Sequence, residues 1–201
     1  RSCTILMEQK LLNLFEGNSN LYLTTSPTGE VDDRGKVQVK CLTIHKPITL
    51  ELWKNHLEGK QRIGTQPEKG DVCKWGCIDI DPQSYKDYSQ KKVIDILRDN
   101  QLPLVPVRSK SGGLHLFLFL DDWYSVKDVL KKLNEWNKNF FQALEVFPMN
   151  KCMNMPYFNM NATTEFAYND QNAPLMIGAF LEMVKNKTIS LKELNNLKVK
   201  E

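Results

Sequence analysis

The 201 residues of the chain predict an α+β (mixed α/β) fold in which helices flank a mixed β-sheet. Two observations lead to this prediction. Several segments show apolar residues at helical spacing, and short apolar runs of strand length alternate with them. The longest apolar run, Leu114 to Leu120, is far shorter than the roughly 18 residues of a membrane span. Hydrophobic residues make up 41% and charged residues 25%, which is typical of a soluble globular domain.

The first third of the chain predicts two helices and two strands. Leu11, Leu12 and Phe15 recur at helical spacing, and Val37 and Val39 alternate with polar residues as in a half-exposed strand. In order, the predicted elements are a helix from Ile5 to Phe15, a strand from Leu21 to Thr25, a turn-rich loop from Ser26 to Gly35, a strand from Val37 to Cys41, and a helix that Thr49 caps and that runs through Leu57 to Gly59.

The remaining two thirds of the chain predict strands that alternate with helices. Ser125 followed by Asp128 resembles a helix-start box. In order, the predicted elements are a strand at Lys74–Asp81, a helix at Ser89–Asn100, strands at Leu104–Arg108 and Leu114–Leu120, a helix at Ser125–Phe141, a strand at Leu144–Phe147, a helix at Ala173–Lys185 and a polar helix from Ser190. We expect one domain over residues 1–201, a fragment of a larger protein, with an N-terminal lobe of about residues 1–70 and a second lobe of about residues 71–185.

Charge and cysteine content restrict the class of protein. The net charge of +3 permits nucleic-acid binding only where basic residues cluster. Five cysteines without a repeating pattern argue against a secreted disulfide scaffold. Cys73 and Cys77 have the spacing of half a zinc site, but no second pair matches them, so buried thiols are predicted. Glu8 and Lys10 interrupt the first apolar pattern, so a secretory signal is not expected and a cytoplasmic protein is, in a bacterial host if a phage encodes it.

Asp79 and Asp81 form the first motif that indicates chemistry. Side chains alternate faces along a strand, so the two carboxylates would lie on one side and Ile78 and Ile80 on the other. Neighbouring carboxylates on a sheet are costly unless a cation neutralises them, and Mg²⁺ suits a few carboxylates with sites open for phosphate. The alternative is a strand end at which Asp81 and Pro82 begin a turn.

The second motif runs from Arg108 to His115. A turn of serine, lysine and glycine joins two predicted strands, and its amides and hydroxyls have the chemistry to bind phosphate. His115 is either a core histidine with satisfied hydrogen bonds or, at the rim of the sheet beside Lys110, a ligand of a triphosphate oxygen. No glycine-lysine-serine or -threonine sequence opens a helix here, so this is not a P-loop.

The third motif is Glu145 in an otherwise apolar strand that ends at Phe147 and Pro148. An acidic residue in that position is either on the exposed face of the strand or a third ligand for a cation.

The order of these motifs, Asp-x-Asp, then Ser-x-Ser-Gly-Gly-x-His, then a glutamate between apolar residues, resembles the three motifs of the archaeo-eukaryotic primase superfamily. The chain looks closest to the single-chain primase-polymerases of phages and mobile elements, over roughly residues 20–170. The resemblance implies a catalytic core with an RRM-like lobe and a smaller N-terminal αβ lobe. It also implies a nucleotidyltransferase that joins NTP or dNTP to a 3′-hydroxyl on a single-stranded DNA template.

By the same resemblance, Asp79, Asp81 and Glu145 would be catalytic residues that hold one or two Mg²⁺ or Mn²⁺ ions. The residues expected to bind the nucleotide are Arg108, Lys110, Ser111, Gly112, Gly113 and His115. Met149 and Asn150 stand where many relatives have lysine and glutamine, with Lys151 one residue later. A helicase or other replication domain is an expected partner, and a membrane is not.

Template contacts are predicted for Lys60 and Arg62, and for Tyr157 as an aromatic platform, with Trp53 and Phe158 as further candidates. Two alternatives belong to other functional classes. One is a two-metal nuclease or phosphoesterase, because acidic clusters serve both chemistries. The other is a catalytically inactive module that binds nucleotide or single-stranded nucleic acid.

Overall fold

The computed structural model of the protein describes residues 6–84 and 87–198. Two four-stranded sheets and six α-helices make up this part of the chain, which confirms the α+β class. Nowhere in it is a helix both long and apolar enough to cross a membrane. The predicted mixed sheet is wrong, because every pair of neighbouring strands described in the two sheets is antiparallel.

The first sheet has the strand order β2-β1-β3-β8. Its strands are β1 (Tyr22–Val31), β2 (Val37–Ile44), β3 (Ile63–Thr65) and β8 (Met153–Asn154), and the nearby helices are α1 (Met7–Leu14) and α2 (Leu50–Leu57). Thr49 caps α2 as predicted, because its side chain accepts a hydrogen bond from the Leu52 amide. Part of the predicted first helix, Ile5, lies outside the described residues.

The segment predicted as a loop, Ser26 to Gly35, is mostly strand. β1 continues to Val31 and pairs with β2 across a register shift between Pro27 and Val31. From Ser26 to Val31 every residue of β1 is exposed, so this part of the two-stranded ribbon has no buried face. The polar sequence reflects that exposure, while hydrogen bonds to β2 supply the strand geometry.

The second sheet has the strand order β5-β6-β4-β7. Its elements are, in chain order, β4 (Val72–Ile80), α3 (Gln90–Asp99), β5 (Leu104–Arg108), β6 (Leu114–Ser125), α4 (Val126–Trp136) and β7 (Glu145–Phe147). This β-α-β-β-α-β order is the split β-α-β arrangement, as the RRM-like expectation requires. Each helix connects strands that are not neighbours, so the strands that are neighbours run antiparallel.

Each face of the second sheet packs against a different layer. Ile78, Ile80 and Leu116 contribute to a core with α3 and α4. On the other face, Trp75 and Phe117 join a core with α1 and α2, in which the Phe15 ring contacts both aromatic rings. The face that carries Trp75 and Phe117 therefore points toward the first sheet and its helices. The predicted site lies at the end of this face where Asp79 and His115 are located.

Cys73 and Cys77 are buried and lie in different cores on the two sides of this sheet. Burial raises the pKa of the Cys73 thiol to about 12. The two sulfurs therefore do not form half of a zinc site, and the prediction of buried thiols is confirmed.

Two helix boundaries differ from the prediction. Ser125 is the N-cap residue of α4, but its side chain accepts no capping hydrogen bond, and the Val126 amide donates to the Asp71 carbonyl. The predicted helix from Ala173 begins at Ile177, as α5 (Ile177–Lys187). The residues before it are extended, because the Leu175 amide donates to the Ala167 carbonyl. Ser190 caps α6 (Leu191–Asn196) with a full capping box.

A buried polar cluster fastens α2 to the segment that follows β8. The His56 ring accepts a hydrogen bond from the Ile63 amide at Nδ1 and donates from Nε2 to the Pro156 carbonyl, at 3.1 and 2.9 Å. Burial lowers the pKa of His56 to about 4, so the ring is neutral at ordinary pH. Beside it, Arg62 is ion-paired with Glu165 and lies 4.3 Å over the Phe158 ring.

Candidate active site

The strand register of the second sheet brings three predicted site residues side by side. On the central strand β4, Asp79 is opposite His115 of β6 on one side and opposite Glu145 of β7 on the other. Directly opposite residues of antiparallel strands have their side chains on the same face, about 5 Å apart. Asp81 follows the last residue of β4, where the chain turns into a short 3₁₀ helix at Pro82–Ser84, and it lines the same cleft as Asp79.

These side chains line a cleft of about 440 Å³ between the polar end of the second sheet and the first sheet. All three predicted acidic residues contribute to it, as do three of the residues predicted to bind nucleotide, Lys110, Ser111 and His115. The other lining residues are Leu23, Lys36, Ser109, Phe147, Lys151, Cys152, Met153 and Asn154. The structure thus gathers residues that are far apart in the sequence around one cleft.

Each acidic side chain of the cleft has a partner within the protein. Asp79 Oδ1 lies 3.4 Å from His115 Nε2, and Lys151 Nζ donates to Glu145 Oε2 at 2.5 Å. Asp81 Oδ1 accepts a hydrogen bond from the Gln83 amide. Within residues 6–84 and 87–198, no three histidine, cysteine or acidic side chains converge closely enough to hold a metal ion in this arrangement.

The donor chemistry nevertheless fits a hard divalent cation. Carboxylate oxygens are the ligands that Mg²⁺ and Mn²⁺ prefer. The side chains of Asp79 and Glu145 remain 23% and 34% exposed, so both can exchange their present partners for a cation that enters from the cleft. Asp79, Asp81 and Glu145 are therefore the residues that would hold it.

The turn between β5 and β6 is tighter than the sequence indicates. The Gly112 amide donates to the Ser109 carbonyl and the Gly113 amide to Ser109 Oγ, both at 3.0 Å. A β-carbon on Gly113 would lie 2.1 Å from the Ile80 carbonyl oxygen. The two glycine amides predicted to bind phosphate are thus already hydrogen-bonded, and Gly113 instead allows the turn to approach the end of β4. The residues of this turn that line the cleft are Ser109, Lys110 and Ser111.

Arg108 does not contribute to the cleft, which corrects its predicted contact with nucleotide phosphate. It is opposite Leu114, which belongs to the core on the helix side of the sheet. Its guanidinium donates to the Thr164 carbonyl at 3.1 Å. The alternation of side chains along β5 places Arg108 on the other face from His115.

The predicted template contacts are mostly structural residues. Tyr157 is 1% exposed, and its hydroxyl donates to the Leu175 carbonyl and accepts from the Ala167 amide, so it offers no surface for a base. Trp53 is equally buried. Arg62 is held by Glu165, with only 12% of its side chain exposed. Lys60 is exposed and pairs with Glu58, so its contact with DNA stays a prediction.

Several cleft residues were not predicted. Lys36 reaches the cleft from the turn after β1, and Cys152, Met153 and Asn154 come from the segment that forms β8. Asn154 Oδ1 is buried without a hydrogen-bond partner in the described part of the protein. No sequence motif marks these positions, because they reach the site only through the packing of the first sheet on the second.

Comparison with known proteins identifies the family of the chain. No curated protein matches the chain. The family model described as "TOTE conflict system, Archaeo-Eukaryotic Primase domain" matches residues 16–162, which span both sheets and all three motifs. The resemblance to the superfamily is thereby confirmed, with a conflict-system family as the matching branch. Because the match covers most of its length, the chain belongs to the archaeo-eukaryotic primase family of TOTE conflict systems.

Proposed function

We propose that the chain is a nucleotidyltransferase that extends a 3′-hydroxyl with NTP or dNTP on a single-stranded DNA template, as a DNA primase or polymerase. The observation that carries the proposal is the convergence of Asp79, Glu145 and His115 on three adjacent strands at one cleft. Membership of a primase family supports this reading of the cleft over others.

The acidic side of the cleft would bind and orient the reacting groups. Mg²⁺ or Mn²⁺ held by Asp79, Asp81 and Glu145, as one ion or two, would lower the pKa of the attacking hydroxyl and neutralise charge on the phosphates. The three carboxylates supply the negative charge that holds such cations at the edge of the sheet.

The cationic side of the cleft would bind the triphosphate. His115 lies beside Asp79, and Lys110 and Ser111 extend from the adjacent turn, so a donor, a cation and a hydroxyl line the same wall. In the reaction, the bond between the 3′-oxygen and the α-phosphorus forms, and the bond from the α-phosphorus to the bridging oxygen breaks. Pyrophosphate leaves, and the hydroxyl proton goes to solvent. This chemistry depends mainly on positioning and charge stabilisation, so a nucleophilic side chain is not required.

The test is incorporation of labelled nucleotide on single-stranded DNA with Mg²⁺ or Mn²⁺, with and without a primer. We expect Asp79→Ala and Glu145→Ala to lower the rate at least about a hundredfold, as loss of one transition-state-stabilising group commonly does. Asp128→Ala removes an exposed carboxylate from the first turn of α4 and should leave the rate unchanged. Thermal melting of each variant shows whether it remains folded.

The same assay separates the alternatives. Product longer than the primer, or product without one, supports nucleotidyl transfer and distinguishes polymerase from primase. Shortened DNA would indicate a nuclease. Nucleotide binding without any product, by a wild-type chain that melts cooperatively, would overturn the proposal in favour of a binding module.

A further inference from the structure

We infer that Lys151 is an exchangeable counter-ion of the cleft. Its ammonium group is paired with Glu145, and when the carboxylates bind a divalent cation this group is released to bind the phosphates of the nucleotide. The inference rests on the proposed function, because it assigns a role to Lys151 in the same cleft.

The first observation is the geometry of the pair. Lys151 Nζ lies 2.5 Å from Glu145 Oε2, and both side chains line the cleft with 53% and 34% of their surface exposed. Next to Lys151, the Asn150 amide donates to Glu68 Oε2 at 2.9 Å. The exposed lysine side chain has a flexible four-carbon stem, so its ammonium group can change partners without any movement of the fold.

The second observation is that Lys151 pairs with Glu145, one of the three carboxylates proposed to bind the cation. A cation coordinated by Glu145 would bind the carboxylate that is now paired with Lys151. A divalent ion carries twice the charge of an ammonium group, so it competes well for that carboxylate. Exposed lysine–carboxylate pairs are weak because water screens them. The pair is therefore weak enough for a divalent cation to displace Lys151 from Glu145.

The third observation concerns where the released ammonium group would go. Lys151 lines the same cleft as Lys110 and Ser111, and Glu145 is its only ion-pair partner among the described residues. A triphosphate that enters with the cation brings several negative oxygens into that space. Lys151 would then pair with phosphate, so that binding of the cation and binding of the nucleotide favour each other.

Two titrations of the full chain test the inference. In the first, Mn²⁺ alone is added and free Mn²⁺ is followed by electron paramagnetic resonance. Lys151→Met should bind Mn²⁺ roughly two- to fivefold more tightly than wild type, because a competing cation has been removed. In the second, the manganese complex of inorganic triphosphate is added, and Lys151→Met should bind it at least about threefold more weakly.

Two variants serve as matched controls. Lys131→Met removes the same charge from an exposed position on α4 and should change neither titration. Lys151→Arg keeps the cation and should resemble wild type in both. The opposite signs of the two effects are the diagnostic result, because a residue that only supported the fold would weaken both.

Weaker binding in both titrations, or no change in either, would overturn the inference while leaving the metal site in place. If wild type bound no Mn²⁺, or if Asp79→Ala bound it equally well, the metal site of the proposed function would fail, and the exchange with it. The two failures are thus told apart by the wild type and Asp79→Ala.

Discussion

Two ion pairs of the molecule have the same chemistry and different surroundings. Arg62 and Glu165 expose 12% and 5% of their side chains, and Arg62 lies over the Phe158 ring, which contacts the His56 ring. Lys151 and Glu145 expose 53% and 34% at the rim of the cleft. The buried pair cannot lose one partner without leaving a charge away from water, whereas the exposed pair can exchange a partner for a ligand. Exposure therefore decides which pair supports the fold and which is available for binding.

The largest effect on stability should come from breaking the buried pair. Arg62→Ala leaves the Glu165 carboxylate buried without a counter-ion, and we expect a loss of about 3–5 kcal/mol in the free energy of unfolding. Urea denaturation at pH 7 measures it. The double variant Arg62→Met with Glu165→Leu should recover most of the loss, because neither charge remains. A loss below about 1 kcal/mol would show that the pair is not buried in solution.

A second effect concerns the pH dependence of the buried region. Burial lowers the pKa of His56 from 6.5 to about 4, so between these values the unfolded chain binds a proton that the folded chain does not. The contribution of the neutral ring is complete above pH 6.5 and declines as the pH falls toward 4. The decline amounts to about 3 kcal/mol.

Urea denaturation at pH 7 and pH 4.5 checks this dependence. His56→Gln removes the titrating ring, so its stability should fall less between the two pH values than that of wild type. Equal falls in the two proteins would contradict the assignment to His56.

At the rim of the cleft, Gly113 packs closely against the end of β4, and a substitution can test this contact. Gly113→Ala would place a β-carbon 2.1 Å from the Ile80 carbonyl oxygen, so the turn must move away from β4. We expect a loss of roughly 1–3 kcal/mol and a lower rate of incorporation. Gly178→Ala in α5 meets no atom within 4 Å and should gain up to about 1 kcal/mol from helix propensity. Equal behaviour of the two variants in thermal melting would refute the close approach.

The smallest effect on stability should come from breaking the exposed ion pair. Lys151→Met removes one partner of the exposed pair, and the free energy of unfolding should change by less than about 1 kcal/mol. Urea denaturation beside Arg62→Ala gives both values under the same conditions. A loss as large as that of Arg62→Ala would mean that Lys151 also has a structural role.

The sequence predicts the acidic residues of the cleft well, and for a simple reason. Asp79 is in β4 and Asp81 follows the last residue of that strand, so the two carboxylates are close in sequence and both line the cleft. Glu145 and His115 also lie beside Asp79, although their strand register depends on the turn before β6 and on the path of the chain after α4. The motif order of a primase family supplied that information.

The predictions from sequence fail where tertiary contacts decide the position of a side chain. Arg108 belongs to the same sequence motif as His115, yet strand alternation turns it to the opposite face. The sequence around Tyr157 does not show that Leu175 and Ala167 satisfy its hydroxyl group. Lys36 and Asn154 reach the cleft only because the first sheet packs there, and no local pattern records that packing.

The position of Asp79 between two antiparallel neighbours has a consequence for insertions and deletions. Glu145 follows a π-helical turn at Asn137–Phe141 and a left-handed Gln142, and only Ala143 and Leu144 separate this bend from β7. One residue added or removed here would slip β7 by one position, which moves a strand's side chains to the other face. The chain would keep its hydrophobic composition and lose one of its three acids from the cleft. Length variation among natural homologues should therefore be rare between Phe141 and Glu145, and more frequent at the exposed tip of the β1–β2 hairpin.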